Sequence, residues 1–345
     1  MRTRPPGTGS PDVVAAPDLH PRLARISQLR SPSRRVRGVL LLVATIATAV
    51  AVWFAVDALE IRLGELRAVP LLIAAVVITP LTILLNAAEL RATALASGAD
   101  IGQVGWVRSI RTVVLATAAN LLPVPAGAIL RVQVLRSAGA SMGAAAGVQL
   151  ASAGVWIGIS LGLAGAALII AAPLAAVAGL GAGALLVIAG LLGVRRTATA
   201  RAGFAAATLS GVEFAMAVLH AVRLWVVLLG LGVTATLAQA LVIGTASPLA
   251  AAAGFFPGGV GLAELLSAVL APLAGLAAAA GLLAVAIGRL LGLAVTVPVA
   301  LALGLTDLVK RTSAGGDPLP AVEPGHANEG ATRADDRPDA DGERS

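Results

Sequence analysis

The sequence predicts an all-α, polytopic helical membrane protein, and three observations lead to that fold class. First, 58% of the 345 residues are hydrophobic and only 12% are charged, a balance foreign to soluble domains of this size. Second, several apolar runs approach the ~20 residues that a helix needs to cross a bilayer. Third, two runs are interrupted by proline and glycine, which disfavour a continuous helix. We expect about six full spans plus two broken or re-entrant helical hairpins.

The two ends of the chain differ in composition from its apolar middle. Residues 1–37 hold eight arginines and two acidic residues, whereas residues 312–345 hold eight acidic residues and three arginines. Both segments lack apolar periodicity and are rich in polar residues, proline and glycine, a composition typical of disorder. The predicted organisation is a disordered basic arm (1–37), a transmembrane domain (38–311) and a disordered acidic tail (312–345).

Charge and composition exclude several classes of function. The net charge of +7 comes from arginines that flank apolar runs, where basic residues orient a membrane protein, so no nucleic-acid partner is expected. The chain has no cysteine and three histidines, which leaves neither a thiol nucleophile nor a metal-ligand cluster. We therefore expect no metal and no cofactor.

Six apolar segments are expected to cross the membrane. In the second, Glu89 and Arg91 are expected to mark the return to the starting side. In the third, Gly154, Gly158 and Gly162 recur at four-residue steps, a pattern that favours close helix packing. The six expected spans are about Val39–Leu59, Pro70–Ala88, Ala144–Ile170, Leu174–Val194, Gly211–Gly232 and Leu276–Leu305.

The two broken segments have matching sequences. The first, about Thr112–Leu122 and then Ala126–Arg136, contains Pro123 and Gly127; the second, about Leu237–Pro272, contains Pro257 and Gly261. Pro257 follows Pro123 by 134 positions, and Gly261 follows Gly127 by the same number. Paired interruptions of this kind indicate inverted repeats with a site at their interface. Limbs of ~10–12 residues reach roughly half of the hydrocarbon core, so a re-entrant hairpin fits, with one kinked span beginning nearer Ile101 as the alternative for the first.

Arginine placement predicts the orientation. With the basic arm in the cytoplasm, the other basic clusters, including Arg195, Arg196, Lys310 and Arg311, also fall on the cytoplasmic side, as the positive-inside rule requires. The two hairpins then enter from opposite faces. We expect a multi-pass protein of the plasma membrane with both termini in the cytoplasm.

The fifth expected span carries three ionisable residues. Steps of seven and three place Glu213, His220 and Arg223 on one face of a helix. Glu213 is near the start of the span and is expected to be solvated. Arg223 is deeper, where charged groups face a cavity or a partner, and His220 is expected to be a hydrogen-bonded packing residue.

Two motifs resemble the signatures of a known family. The stretch Asn120-Leu-Leu-Pro-x-x-x-Gly-x-x-x-Arg131, with Gly139-x-Ser141, resembles the first signature of the flippase-like membrane family. That family is related to the transmembrane half of lysylphosphatidylglycerol synthases. Pro257-Gly-Gly-x-Gly-x-x-Glu264 is similar to the second signature, and the resemblance covers about residues 38–310.

The resemblance implies that a lipid or lipid-linked substrate is moved or held within the bilayer. In bifunctional members a soluble aminoacyl-transferase domain follows the membrane part. Here an acidic tail follows it, so synthase activity is not expected. The chain also has no tyrosine, although such proteins often carry several.

The predicted site binds an anionic or lipid-linked phosphate at mid-membrane. The limbs that begin at Gly127 and Gly261 would present backbone N–H groups to the phosphate, and Arg131 would add a charged fork. Glu264 would bind a cationic headgroup or neutralise an arginine; in the alternative, it pairs permanently with Arg289 or Arg223. The predicted substrate-binding residues are Asn120, Pro123, Gly127, Arg131, Arg223, Pro257, Gly258, Gly259, Gly261, Glu264 and Arg289.

Two other classes of function stay open. A membrane enzyme on lipid intermediates would have to use Glu264, Glu213, His220 or Asp57, but no catalytic spacing supports it, and the chain is not expected to be an enzyme. A non-transporting scaffold or accessory protein of cell-envelope lipid or glycan assembly is the other. The first prediction is a flippase with membrane lipids as its partners.

Overall fold

The computed structural model describes Trp53 and residues 66–120, 126–197, 202–253 and 261–313. All regular elements within these residues are helices, as the composition predicts. The expected first span and four predicted site residues, Pro123, Pro257, Gly258 and Gly259, lie outside the described residues.

Ten helices follow one another along the described chain. They are α1 (Ala68–Ser97), α2 (Trp106–Ala119), α3 (Ala126–Ser137), α4 (Met142–Ala167), α5 (Pro173–Thr197), α6 (Ala202–Gly230), α7 (Leu237–Gly244), α8 (Ala246–Ala253), α9 (Leu262–Leu273) and α10 (Ala278–Ser313). Five of them, α1, α4, α5, α6 and α10, are long and apolar enough to cross a membrane. They correspond to the second through sixth expected spans, and they indicate a membrane protein.

The chain divides into two compact units inside α10. The first ends at Val297 and the second begins at Pro298, which lies within the helix and has no N–H to donate. In the second unit the side chain of Leu301 is exposed. The site described below belongs entirely to the first unit.

Helix α1 changes its pitch near a proline. Residues Ile73–Ile78 form a π-helical turn, and the Thr79 hydroxyl donates to the carbonyl of Ala74, five residues back, at 2.9 Å. Pro80 follows directly; its ring would collide with the carbonyl four residues before it, and it has no N–H for that carbonyl. The wider turn relieves both problems without ending the helix.

The end of α1 differs from the expectation. The helix continues to Ser97 and ends at Gly98, whose φ of 76° is the left-handed conformation that glycine adopts easily. Glu89 and Arg91 therefore lie inside the helix, and Glu89 is buried. The expectation that these residues mark the end of the span is wrong, because a stretch rich in alanine and leucine continues the helix for more than one further turn, to Ser97.

Helices α2 and α3 form a hairpin. Arg108, near the start of α2, donates to the hydroxyl of Ser137, at the end of α3, at 2.7 Å. Just before α2, the N–H of Asp100 donates to the carbonyl of Ala138 at 2.8 Å. With 14 and 12 residues, the limbs are about 21 and 18 Å long, well short of a ~30 Å hydrocarbon core. In the described residues, the start of α2 therefore lies beside the end of α3.

Helices α7, α8 and α9 form the second hairpin. Thr236 caps α7 by accepting from the N–H of Gln239, which in turn accepts from the N–H of Thr236. The Gln239 amide also donates to the carbonyl of Ala274, just past the end of α9, at 2.9 Å. The first limb therefore begins where the last limb ends, as in the α2–α3 hairpin.

The two hairpins end in the same backbone turn. Gly139 follows α3 with φ of 97°, and Gly275 follows α9 with φ of 74°. Each glycine donates to the carbonyl three residues back, at 3.0 Å in both. The residue after it donates to the carbonyl five residues back, at 3.1 Å from Ala140 and 2.9 Å from Leu276. This is the Schellman motif, which requires a left-handed residue and so favours glycine.

Helices α4 and α5 pack closely through glycines. A Cβ added to Gly158 would lie 2.7 Å from the carbonyl oxygen of Gly183, and one added to Gly183 would lie 2.6 Å from that of Gly158. Gly165 approaches the backbone of Leu180 in the same way, at 2.8 Å. The close packing predicted from the four-residue glycine steps is therefore present, although its contacts centre on Gly158 and not on Gly154.

The start of α1 and the end of α6 are joined by the backbone. The N–H of Arg67 donates to the carbonyl of Gly230 at 2.9 Å. A side chain at position 230 would overlap that of Leu71. A large buried apolar cluster continues from this junction, and its members include Leu224, Leu228, Ile243 and Leu283.

Candidate functional site

A cavity of about 270 Å³ lies among the helices of the first unit. Its wall includes residues of both hairpins: Asn120 from the tip of the first, and Ser247 and Ala251 from the second. The longer helices complete it. The lining residues are Thr117, Asn120, Trp156, His220, Arg223, Leu224, Ser247, Ala251, Val285, Gly288, Arg289 and Leu293.

Arg223 is the principal charged group of this cavity. Its Nη2 donates to the carbonyl of Gly288, and its guanidinium passes over Gly292, where an added Cβ would lie 2.6 Å from Nη2. Its Nε is buried without a hydrogen-bond partner. Within the described part of the chain, no carboxylate forms an ion pair with it.

His220 lies one turn before Arg223 and also lines the cavity. Its Nε2 is buried without a hydrogen-bond partner, and its Cδ2 faces Gly244 of α7. The expectation of a hydrogen-bonded packing residue is wrong for Nε2. Two neighbouring side chains therefore bring unpaired polar nitrogen atoms to one small space, which is unusual because buried polar groups are almost always paired.

Arg289, Glu264 and Gly261 form a connected group beside the cavity. The Arg289 Nε is 3.2 Å from Oε1 of Glu264, whose Oε2 accepts from the N–H of Gly261 at 2.8 Å. Glu264 is 2% exposed. The structure thus has the alternative pairing foreseen for Glu264, with Arg289 as its partner. Gly261 adopts φ of 83°, and the positive N-terminal end of α9 is balanced by the helix's own carboxylate.

The charges that the described residues bring to the cavity do not cancel. Arg223 and Arg289 bring two positive charges, and Glu264 brings one negative charge that is already held by Arg289 and by Gly261. One guanidinium, that of Arg223, is left without a counter-charge in the described ranges. Because an isolated ion in an apolar interior is costly, the arrangement favours an anion in the cavity.

Gly127 and Arg131 do not line this cavity. Gly127 is buried, and a Cβ added to it would overlap Oδ1 of Asn120 and lie 2.7 Å from the carbonyl oxygen of Ala116. Its role in the structure is close packing of α3 on α2. Arg131 donates through Nη1 to Glu89, at 2.8 and 3.0 Å, and through Nη2 to Oδ1 of Asn86 at 2.7 Å.

A second polar group, not predicted from the sequence, surrounds Arg131. The Ser152 hydroxyl lies 3.0 Å from Oε1 of Glu89 and 2.6 Å from Oε1 of Glu213. Glu213 is 2% exposed, so the expectation that it is solvated is wrong. The available signal was the presence of a carboxylate on each of two apolar helices, since such residues are rare unless they are paired.

No protein family, curated protein or solved structure matches this chain. The resemblance of its two motifs to the flippase-like family is therefore carried by the motifs alone.

Proposed function

We propose that the protein binds the phosphate of an anionic or lipid-linked lipid headgroup in the cavity between its two hairpins and moves that lipid across the membrane. The observation that carries the proposal is Arg223 at the cavity wall: its Nε is buried without a hydrogen-bond partner, and no carboxylate among the described residues forms an ion pair with it. The motif resemblance supports the same class of function. We also propose that the protein lies in the plasma membrane, with both of its termini in the cytoplasm.

Phosphate is the anion that suits these donors. A guanidinium presents N–H groups in a planar fork that matches two phosphate oxygens, and the charge assists both hydrogen bonds. His220 and Asn120 add polar groups from neighbouring walls. On insertion scales a lone arginine at mid-bilayer costs ~2.5–3.5 kcal/mol, and a bound phosphate would relieve that cost.

The volume of the cavity favours a lipid with a small headgroup. Its ~270 Å³ is just below the range of about 300–1,000 Å³ for sites that enclose drug-sized ligands. A phosphate with a small polar substituent fits that volume, while the acyl chains stay in the surrounding lipid. A large lipid-linked oligosaccharide would have to keep its glycan outside.

We infer that the two hairpins open toward opposite membrane faces. The chain crosses with α1 before the first hairpin, and with α4, α5 and α6 between the first and the second. Three crossings between them place the open ends on different sides. The shared Schellman turn and the matched Gln239 and Arg108 contacts support an internal repeat, and opposite orientation would make it inverted, the arrangement that surrounds many transporter sites.

The test is Arg223→Gln in the full chain reconstituted in vesicles of phosphatidylcholine and phosphatidylglycerol. Movement of phosphatidylglycerol carrying an acyl-chain fluorophore is followed with a membrane-impermeant quencher. We expect Arg223→Gln to slow this movement at least tenfold, because the phosphate loses its charged partner. Arg196→Gln, at an exposed position, is the matched control and should move lipid at the wild-type rate.

Equal rates for wild type, Arg223→Gln and empty vesicles would contradict the proposal. In that case chemical change of the added lipid, read by mass spectrometry, would favour an enzyme. Unchanged lipid together with a stably co-purified protein would favour a scaffold.

A further inference from the structure

We propose that Glu213, Ser152 and Glu89 form a binding site for one exchangeable proton within the membrane-spanning helices. The three side chains come from α6, α4 and α1 and form a continuous chain of short contacts that ends at Arg131. None of the four residues lines the cavity described above. The proton site therefore stands on its own observations and does not depend on the proposed lipid function.

The first argument is a count of hydrogen atoms. A serine hydroxyl has one hydrogen to donate, yet its oxygen lies 3.0 Å from a carboxyl oxygen of Glu89 and 2.6 Å from one of Glu213. If both carboxyls were ionised, one of these contacts would set two oxygen lone pairs against each other. A proton on one carboxyl lets that group donate to Ser152, and Ser152 then donates to the other.

The second argument is a count of charges. The charged groups that face Glu213 from the helices packed around it are Glu89 and Arg131. Two ionised carboxylates and one guanidinium would leave one negative charge in a group where Glu213 is 2% exposed and Glu89 8% exposed. One bound proton makes the group neutral, and a neutral buried group avoids the cost of a lone ion in the membrane.

The hydrogen bonds of Arg131 decide which carboxyl carries the proton. Its Nη1 contacts both oxygens of Glu89, a charge-assisted arrangement that is strongest when the carboxylate is ionised. Glu213 has the Ser152 hydroxyl as its hydrogen-bond partner among the described residues. We therefore assign the proton to Glu213, which donates to Ser152, while Ser152 donates to Glu89.

The same chain provides a route for the proton. When Glu213 gives its proton to the serine oxygen, Ser152 passes its own hydrogen to Glu89, so the proton changes carboxyls with no net gain or loss. Release of this proton from Glu89 would leave the group with one negative charge. The ion pair between Glu89 and Arg131 would then be stronger. The site thus has two charge states that differ by one proton.

Helix α6 connects this site to the cavity, because Glu213 and Arg223 lie on it less than three turns apart. If the cavity binds an anionic lipid, as proposed above, a change in the protonation of Glu213 can alter the position of α6 and with it the position of Arg223. This coupling step rests on the proposed function, whereas the proton site does not.

The test compares three isosteric substitutions in the full chain. Glutamine is neutral and can donate to Ser152, as a protonated glutamate does, so Glu213→Gln should unfold at the wild-type temperature. Glu89→Gln and Glu264→Gln each remove the charge of a buried carboxylate from its ion pair with a partly buried arginine, and each should lower the unfolding temperature by several degrees. A drop for Glu213→Gln as large as that for Glu89→Gln would overturn the assignment.

Infrared spectroscopy of the same proteins in phosphatidylcholine and phosphatidylglycerol vesicles reads the proton directly. At neutral pH the wild type should show the carbonyl band of a protonated carboxyl, and Glu213→Gln should lose it. A wild type without that band, or a variant that keeps it, would refute the proton site. This readout needs no lipid movement, so failure of the lipid proposal leaves it intact.

Coupling is tested separately by imposing a pH gradient across the vesicles. The gradient should change the rate of phosphatidylglycerol movement by wild type severalfold and leave the rate of Glu213→Gln unchanged. A wild-type rate that ignores the gradient would refute coupling and leave the infrared result standing.

Discussion

Arg131 and Arg223 show how differently two arginines can be accommodated in membrane helices. Arg131 is held by a carboxylate and an amide, so its charge is balanced by the protein. Arg223 donates to a backbone carbonyl of α10 and has no carboxylate partner in the ranges described. Because only the second arrangement leaves charge for a ligand, Arg223 is the residue around which the proposed site is built.

At the residue scale, Gly127 is predicted to be intolerant of any side chain. Gly127→Ala would place a Cβ against Asn120 and the backbone of Ala116. We expect a loss of about 1–3 kcal/mol in the free energy of unfolding, measured by thermal unfolding of the solubilised protein.

Gly143→Ala is the control for that substitution, because an added Cβ there meets nothing within 4 Å. Alanine favours a helix over glycine by up to ~1 kcal/mol, so this variant should be as stable as wild type or more so. Equal stability of Gly127→Ala and Gly143→Ala would show that α2 and α3 do not pack as described.

The sequence was informative about which residues carry charge in the membrane but not about how they pair. Arg223, Arg289 and Glu264 were predicted as site residues, and all three lie at or beside one cavity. Glu89 and Glu213 were assigned to span ends, because a carboxylate at the edge of an apolar run resembles a boundary. Their partners lie on other helices. Which residues pair depends on how each helix is rotated and how deep it lies, and neither can be predicted from the sequence of a single helix.

At the scale of elements, close glycine packing of α4 and α5 predicts a sharp difference between two neighbouring positions. Gly183→Val would drive a side chain into the backbone of Gly158 and should cost about 1–3 kcal/mol. At Gly181, two residues away, an added Cβ meets nothing within 4 Å, so Gly181→Val should change stability by no more than ~0.5 kcal/mol. Thermal unfolding of both variants provides the measurement, and equal losses would contradict the close approach.

The two hairpins are the elements for which sequence reasoning worked best. Proline and glycine within apolar runs predicted helix breaks, and α2 ends at Ala119 while α3 begins at Ala126. The split of the second hairpin's first limb into α7 and α8 was not predicted, because Thr245 at the junction resembles many helical residues.

At the scale of the whole molecule, the proposed arrangement predicts that the open ends of the two hairpins react from opposite sides. The chain has no native cysteine, so a single introduced cysteine is a unique reporter. Gln103→Cys lies at the open end of the first hairpin and Thr234→Cys at that of the second, and both positions are exposed.

An impermeant thiol reagent added to intact cells should label Thr234→Cys and should label Gln103→Cys only after the cells are opened. Labelling of both from outside would contradict the opposite orientation of the hairpins. The number of apolar spans in the described chain could be predicted from hydropathy alone. That Asn120 of the first hairpin and Ser247 and Ala251 of the second line one cavity required the three-dimensional arrangement.

The backbone hydrogen bond from Arg67 to Gly230 limits how many times the chain between them can cross a membrane. It holds the beginning of α1 and the end of α6 at the same depth. In the proposed topology, the chain between them must then cross the bilayer an even number of times, and α1, α4, α5 and α6 would supply four crossings. A fifth crossing by α2 and α3 would place Gly230 on the other side from Arg67, so on this topology the first hairpin enters and leaves through the same membrane face.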